Sequence, residues 1–176
     1  TDASSAAHRQ QLLSNNLAEQ ERALEAAANE KLPELLPNLL EVLRRAQVNV
    51  VWNGAAYALR ELGDPRAAAA LVEKIKDPVT EGSRGTLLFA LAAFDCTPYV
   101  RELVDAVIDG NFEVSRKAYQ ILEDLEGDPA PDHVAEARAK LAAAIERSDL
   151  DEDRRAIIEQ AAELLSVTRA EEEGQG

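Results

Sequence analysis

The chain has 176 residues, with 33 Asp and Glu against 19 Lys and Arg, a net charge of −14, one Trp and one Cys. That charge argues against general binding to DNA or RNA, where phosphate neutralisation supplies most of the affinity, and against docking on anionic lipid. No apolar run reaches the 18 residues a membrane helix needs.

The N-terminal stretch around Asp2, His8 and Arg9 lacks the apolar core of a signal peptide. Cys96 has no second cysteine to pair with, so the expected compartment is a reducing cytoplasm. A 4% aromatic content with abundant Ala and Leu predicts an all-α domain.

Residues 5–29 read as one long helix, with Leu12, Leu13, Leu17 and Leu24 at helical spacing and Glu19, Glu21, Arg22 and Glu25 opposite them. The next helix covers about 33–46. Pro33 is tolerated in its first turn, and Pro37 either kinks the helix or marks its true start. A helix from Asn49 to Leu62 stops at Gly63-Asp64-Pro65, and a helix over 66–76 halts before Asp77-Pro78. The spacing then predicts a helix over 81–94 with Thr80 as its cap, and a break at Asp95-Cys96-Thr97-Pro98. A partner helix reaches Ile108 to Gly110, and Asn111 caps a helix ending at Leu125. After the loop Gly127-Asp128-Pro129-Ala130-Pro131 come helices over 132–147 and 150–166, the last with Asp149 and Asp151 at its positive end. Residues 170–176 are charged, have nothing to pack, and are expected to be disordered.

The apolar positions of these helices repeat. Leu39, Leu71 and Leu103 are 32 residues apart, as are Leu40, Val72 and Val104, and Leu43, Ile75 and Val107. Leu59, Leu91 and Leu122 step by 32 and then 31, as do Leu62, Phe94 and Leu125. Such a period is the mark of a solenoid, whose units bury their apolar faces only against neighbours. The unit is carried by Ala58-Leu59-Arg60-Glu61-Leu62-Gly63-Asp64-Pro65 with Leu71-Val72 and Ile75-Lys76-Asp77-Pro78. It recurs more loosely from Ala90-Leu91 to Asp95 with Leu103-Val104, and Pro33 to Leu43 matches its second helix.

On those residues the chain resembles the HEAT-like repeat proteins, the group that includes the bilin-lyase-type HEAT repeats, over about residues 33–126. The length suits one domain, taken as 1–169, and the resemblance implies that it is a right-handed α-solenoid of about four HEAT-like helical hairpins. Residues 5–31 and 132–166 would be its capping helices. It also implies second helices on the concave side, and binding or scaffold roles far more often than catalysis.

Stacked units place equivalent residues in columns. On the second helices one column holds Glu41, Glu73 and Asp105, a second Arg45, Asp77 and Asp109, and a third Asn38, Ala70 and Glu102. By the geometry the resemblance implies, the first column is an acidic stripe on the concave face. Like charges about 10 Å apart repel mildly, so such a stripe suits a cationic partner, although a solvated face of a charged helix has the same composition. Trp52 continues as Arg84 and Ser115, a polar column. It either anchors an interface or packs on the preceding helix pair and covers a repeat junction. Tyr57, Phe89 and Tyr119 read as core, and Tyr99, after Pro98, as a rim residue of the groove.

Catalytic and metal chemistry are not expected. His8 and His133 are isolated from each other and from Cys96, and no tetrahedral ligand set can be assembled. HEAT-type di-iron hydroxylases use repeated His-Glu pairs, which are missing here, and HEAT-like DNA glycosylases have a basic concave face. No residue transfers from the bilin lyases as catalytic. Asp149 to Asp153 lacks the glycine and terminal glutamate of a calcium loop, and Gly82-Ser83-Arg84-Gly85-Thr86 lacks the ending of a phosphate loop. Its glycines read as permitting close helix packing, and Cys96 has no adjacent His to activate it.

The expected protein is therefore a non-enzymatic, cofactor-free interaction module of the cytoplasm, plausible as a bacterial immunity protein or adaptor. Its partner would be a basic protein, and the oligomeric state stays open. The competing class is a HEAT-scaffold enzyme or a tetrapyrrole-handling protein of the lyase-like type, which needs a deep pocket with converging polar groups. The candidate contact residues are Glu41, Glu73, Asp105, Asp77, Asp109, Glu102, Trp52 and Tyr99.

Overall fold

The computed structural model of the chain describes residues 2–166, and the expected acidic tail at 170–176 lies outside them. Among the described residues there are ten α-helices, three short 3-10 helices and no strand. The chain divides into two compact units, Thr1–Phe94 and Asp95–Gly176, at the punctuated segment that begins with Asp95.

The first unit contains α1 (Asp2–Leu12), α2 (Leu17–Glu30), α3 (Leu36–Arg45), α4 (Asn49–Leu62), α5 (Arg66–Lys76) and α6 (Gly85–Leu91). The long helix expected over 5–29 is two helices. Asn16 ends the break between them, accepting from the amides of Ala18 and Glu19, while the Ser14 hydroxyl donates to Glu19. This side-chain capping competes locally with helix continuation and sets the start of α2.

Pro33–Leu35 forms a 3-10 turn, and Pro37 occupies the first turn of α3, so the helix begins there rather than kinking. Helices α4 and α5 have the boundaries their turn residues predict, with Gly63 at φ 72° closing α4.

The helix expected over 81–94 is shorter. Pro78–Thr80 is a 3-10 turn and α6 spans only Gly85–Leu91. Thr80 caps no helix start. It is fully buried, and its hydroxyl lies 2.8 Å from the Asp77 carbonyl. Gly82 sits at φ 78° with nothing within 4 Å of an added Cβ, so it serves the turn and not helix packing.

The packing is layered. Helix α4 lies against α2, α3 and α6, while α5 lies against α3 and α6. Leu39, Leu43, Leu59, Leu71 and Leu91 are all buried at the resulting junctions. Each such leucine contributes about 2–5 kcal/mol relative to alanine, so these rows carry far more of the stability than any surface ion pair.

The second unit contains a 3-10 turn (Thr97–Tyr99), α7 (Val100–Asp109), α8 (Phe112–Glu123), α9 (Pro131–Ile145) and α10 (Glu152–Ser166). Its packing repeats the scheme, with α7 against α8 and α9, and α10 against α8 and α9. Leu103, Val107, Leu122, Leu141 and Ile158 fill the core. Asn111 caps α8 as expected, accepting from Val114, and the Asp151 carboxylate accepts from the Arg154 amide at the start of α10.

A device common to both units is not visible in any one helix. Long cationic side chains reach across to the carbonyls that close a neighbouring helix. Lys74 donates to Ala46 at the end of α3, and Arg60 to Phe89 near the end of α6. In the second unit Arg154 reaches Ile108 and Gly110 at the end of α7. Arg155 reaches Ile145, the last residue of α9, and Arg147 just past it, and Arg138 reaches Leu165 in α10. The last carbonyls of a helix lack intrahelical partners and carry partial negative charge, which these cations satisfy.

Candidate functional site

Glu41, Glu73, Asp105 and Asp109 each have a cation of their own unit nearby. In α3, Glu41 is bound by Arg44 and Arg45, one helical turn further on. In α5, Glu73 lies 3.3 Å from Lys76 and is 74% exposed. In α7, Asp105 takes Lys140 of α9 at 2.9 and 3.0 Å. Asp109, 69% exposed, lies 3.8 Å from Arg147, whose guanidinium grips Asp149 with two hydrogen bonds. Within each unit, these carboxylates of the expected acidic stripe are engaged in weak surface ion pairs. Exposed pairs of this kind are worth about 0–1 kcal/mol each, so a cation from outside can displace them.

Asp77 has a different role. One of its oxygens accepts from Lys74 at 2.9 Å and the other from the Val79 amide at 3.0 Å. Lys74 is 3% exposed; its ammonium also donates to Ala46 at 2.7 Å and lies 5.7 Å from the centre of the Trp52 ring. The Lys74 hydrogen bond, seconded by the Val79 amide, holds the Asp77 carboxyl below its usual range. Asp77 is a structural counter-ion, and its bond to a buried lysine could not be read from its column.

Trp52, expected as a surface anchor or a junction residue, is buried at 3% exposure. Its indole N–H points at the Ser83 carbonyl, 3.4 Å away, and Lys74 sits near its face. The polar column that suggested a surface position is misleading, because Arg84 is itself turned inward to Thr80 at 3.2 Å. Trp52 therefore offers no surface to a partner and instead fills the junction where α4, α5 and the 78–84 turn meet.

In the second unit Tyr99 and Glu102 are both half-buried. Burial, then the neighbouring Cys96, Glu102 and Asp95, push the Tyr99 phenol up. One Glu102 oxygen is buried without a hydrogen-bond partner, facing the same region as Lys140, whose ammonium is held above its usual range chiefly by Asp105. Burial pushes the Cys96 thiol up to about 11, which removes nucleophilic character at neutral pH. Among the described residues no group of three or more His, Cys, Asp or Glu is placed to hold a metal ion, and no helix is long and apolar enough to cross a membrane.

Two aromatics expected in the core are on the surface. Tyr57 is 47% and Phe89 44% exposed, while Tyr119 is half-buried. The Arg60 guanidinium lies 4.1 Å from the centre of the Phe89 ring. The missed signal is in α4 itself. Val51, Trp52, Ala55, Ala56, Ala58 and Leu59 fill the buried side, leaving Val50 and Tyr57 exposed and Asn53 and Arg60 half-buried between the two faces.

Neither a comparison with protein-family models nor one with curated proteins finds a match to this sequence.

Proposed function

We propose that the chain is a non-catalytic, HEAT-like α-solenoid of the cytoplasm that binds a basic protein through carboxylates on its second helices, in the manner of an immunity protein or adaptor. The observation that carries this reading is the uneven use of charge. Carboxylates outnumber cations 33 to 19, and Lys74, Arg60, Arg138, Arg154 and Arg155 direct hydrogen bonds at backbone carbonyls. The excess negative charge is therefore left to face solvent, where it steers and accelerates encounter with a basic surface. The layered packing of alternate helices within each unit, together with the 32-residue period, supports the solenoid reading.

Of the columned residues, Glu73 in the first unit and Asp109 in the second are the contacts expected to matter, being the most exposed. Glu41 and Asp105 contribute less, each being held by a closer cation. The test is capture from cells of the source organism with the wild type and with Glu73→Lys/Asp109→Lys. A basic protein kept at about 50 mM salt, released near 500 mM and lost in the variant is the expected result. A retained set that is not basic, or is unchanged in the variant, overturns the reading.

A further inference from the structure

We infer that the outward face of α4 and α6 is a self-association surface, used in a two-fold contact between two copies of this chain. The face is defined by position. Val50, Tyr57 and Arg60 lie at helical steps of seven and three along α4 and so share one stripe, the first two exposed and Arg60 half-buried. Helix α6 packs beside α4, and Arg60 ties the two together, donating to the Phe89 carbonyl at 2.6 Å and covering its ring. Tyr57 lies one turn from Arg60 on the same stripe, which brings both rings to one surface. Val50, Tyr57 and Phe89 are 39%, 47% and 44% exposed.

The charge of this face sets it apart from the rest of the chain. Helix α6 has no charged residue, and α4 has only Arg60 and Glu61. Glu61 is already 3.0 Å from Lys31. A net charge of −14 elsewhere makes two copies repel wherever carboxylates face each other. They can meet closely only where carboxylates are absent, and this is such a place.

The patch is also self-complementary. A two-fold contact sets the same surface against itself, so the cation of each copy meets the rings of the other. Tyr, Phe and Arg at the centre with acidic residues excluded is the composition of interface cores. A basic partner gains nothing here, because the one uncompensated charge on the face is Arg60.

The salt dependence has a sign opposite to that of the acidic ladder. Added salt screens the repulsion between two acidic copies, so self-association tightens with salt, whereas capture of a basic protein weakens. The experiment is analytical ultracentrifugation of the purified full chain from about 1 to 500 μM, at about 20 and 300 mM NaCl. The wild type is expected to dimerise, several-fold more tightly at the higher salt. Tyr57→Ser and Phe89→Ser should each weaken the dimer at least about tenfold. Both side chains are exposed, and an unchanged helical circular dichroism signal confirms that each variant is folded. Arg60→Ala, which leaves both rings in place, gives a second reading and should also weaken the dimer. A wild type that stays monomeric at both salts overturns the inference. So does a dimer that survives Tyr57→Ser/Phe89→Ser, or one that dissociates as salt rises. Because the assay uses the purified chain alone, its failure leaves the basic-partner reading untouched.

Discussion

Asp77 separates the structural from the surface reading of the second-helix carboxylates, and Asp77→Ala tests it. The substitution leaves the buried Lys74 ammonium with only the Ala46 carbonyl and removes the acceptor for the Val79 amide. A hydrogen bond to a charged group is worth about 1.5–3 kcal/mol and a turn-capping acceptor about 1 kcal/mol, so the first unit should lose about 3 kcal/mol. The full 3–5 kcal/mol for breaking a buried pair is not expected, because Asp77 is 34% exposed and water partly replaces it. Asp77→Asn, which keeps an acceptor for only one of the two donors and carries no charge, should cost less than Asp77→Ala but more than half as much. Asp109→Ala on the open surface should stay within about 0.5 kcal/mol of the wild type.

Trp52 is the only tryptophan in the chain and lies beside Lys74, so its fluorescence during urea unfolding reports on this site directly. The contribution has a defined pH window. The Asp77 carboxyl is held below its ordinary value of 3.8, so its stabilisation is present at neutral pH. It is lost as pH falls below about 4 and through the lowered value. The difference between wild type and Asp77→Ala should therefore shrink in acid. A loss under about 1 kcal/mol, or one equal to that of Asp109→Ala, would refute the structural role.

Arg154→Ala should destabilise the second unit by about 2–3 kcal/mol, seen as a lower thermal midpoint, because the Ile108 and Gly110 carbonyls lose a charged donor. Both bonds come from one guanidinium nitrogen, Nη2, so Arg154→Lys should recover only the part that its shorter side chain can reach. Cys96 should resist alkylation in the native state at pH 7.5. A thiol moved from 9.0 to about 11 has roughly a hundredfold less thiolate, and a burst of labelling should appear only on unfolding.

The elements that the sequence specified well are those encoded within a few residues. The bounds of α4 and α5 follow from Gly63-Asp64-Pro65 and Asp77-Pro78, whose turn geometry is set locally. The 32-residue period placed Leu39, Leu71, Leu103, Leu59, Leu91 and Leu122 in the interior, because a buried row needs only an apolar side chain at a regular step. The break before α2 was legible too, in Asn16 with Glu19 three residues on, but the alanine-rich pattern on either side reads as continuous helix.

The candidate site was only partly legible. Glu41 with Arg44 and Arg45, and Glu73 with Lys76, are pairs one helical turn apart that helical spacing predicts. Lys140 against Asp105 is 35 residues away, and Arg147 against Asp109 is likewise on another element, so packing alone brings them together. The same limit explains the aromatics. Which side of a helix is covered depends on its neighbours, and with α2, α3 and α6 all against α4, the covered side took Trp52 and left Tyr57 outside. Sequence fixes what a helix offers on each face; the tertiary contacts decide which face is hidden, because burial belongs to the pair of surfaces and not to either one.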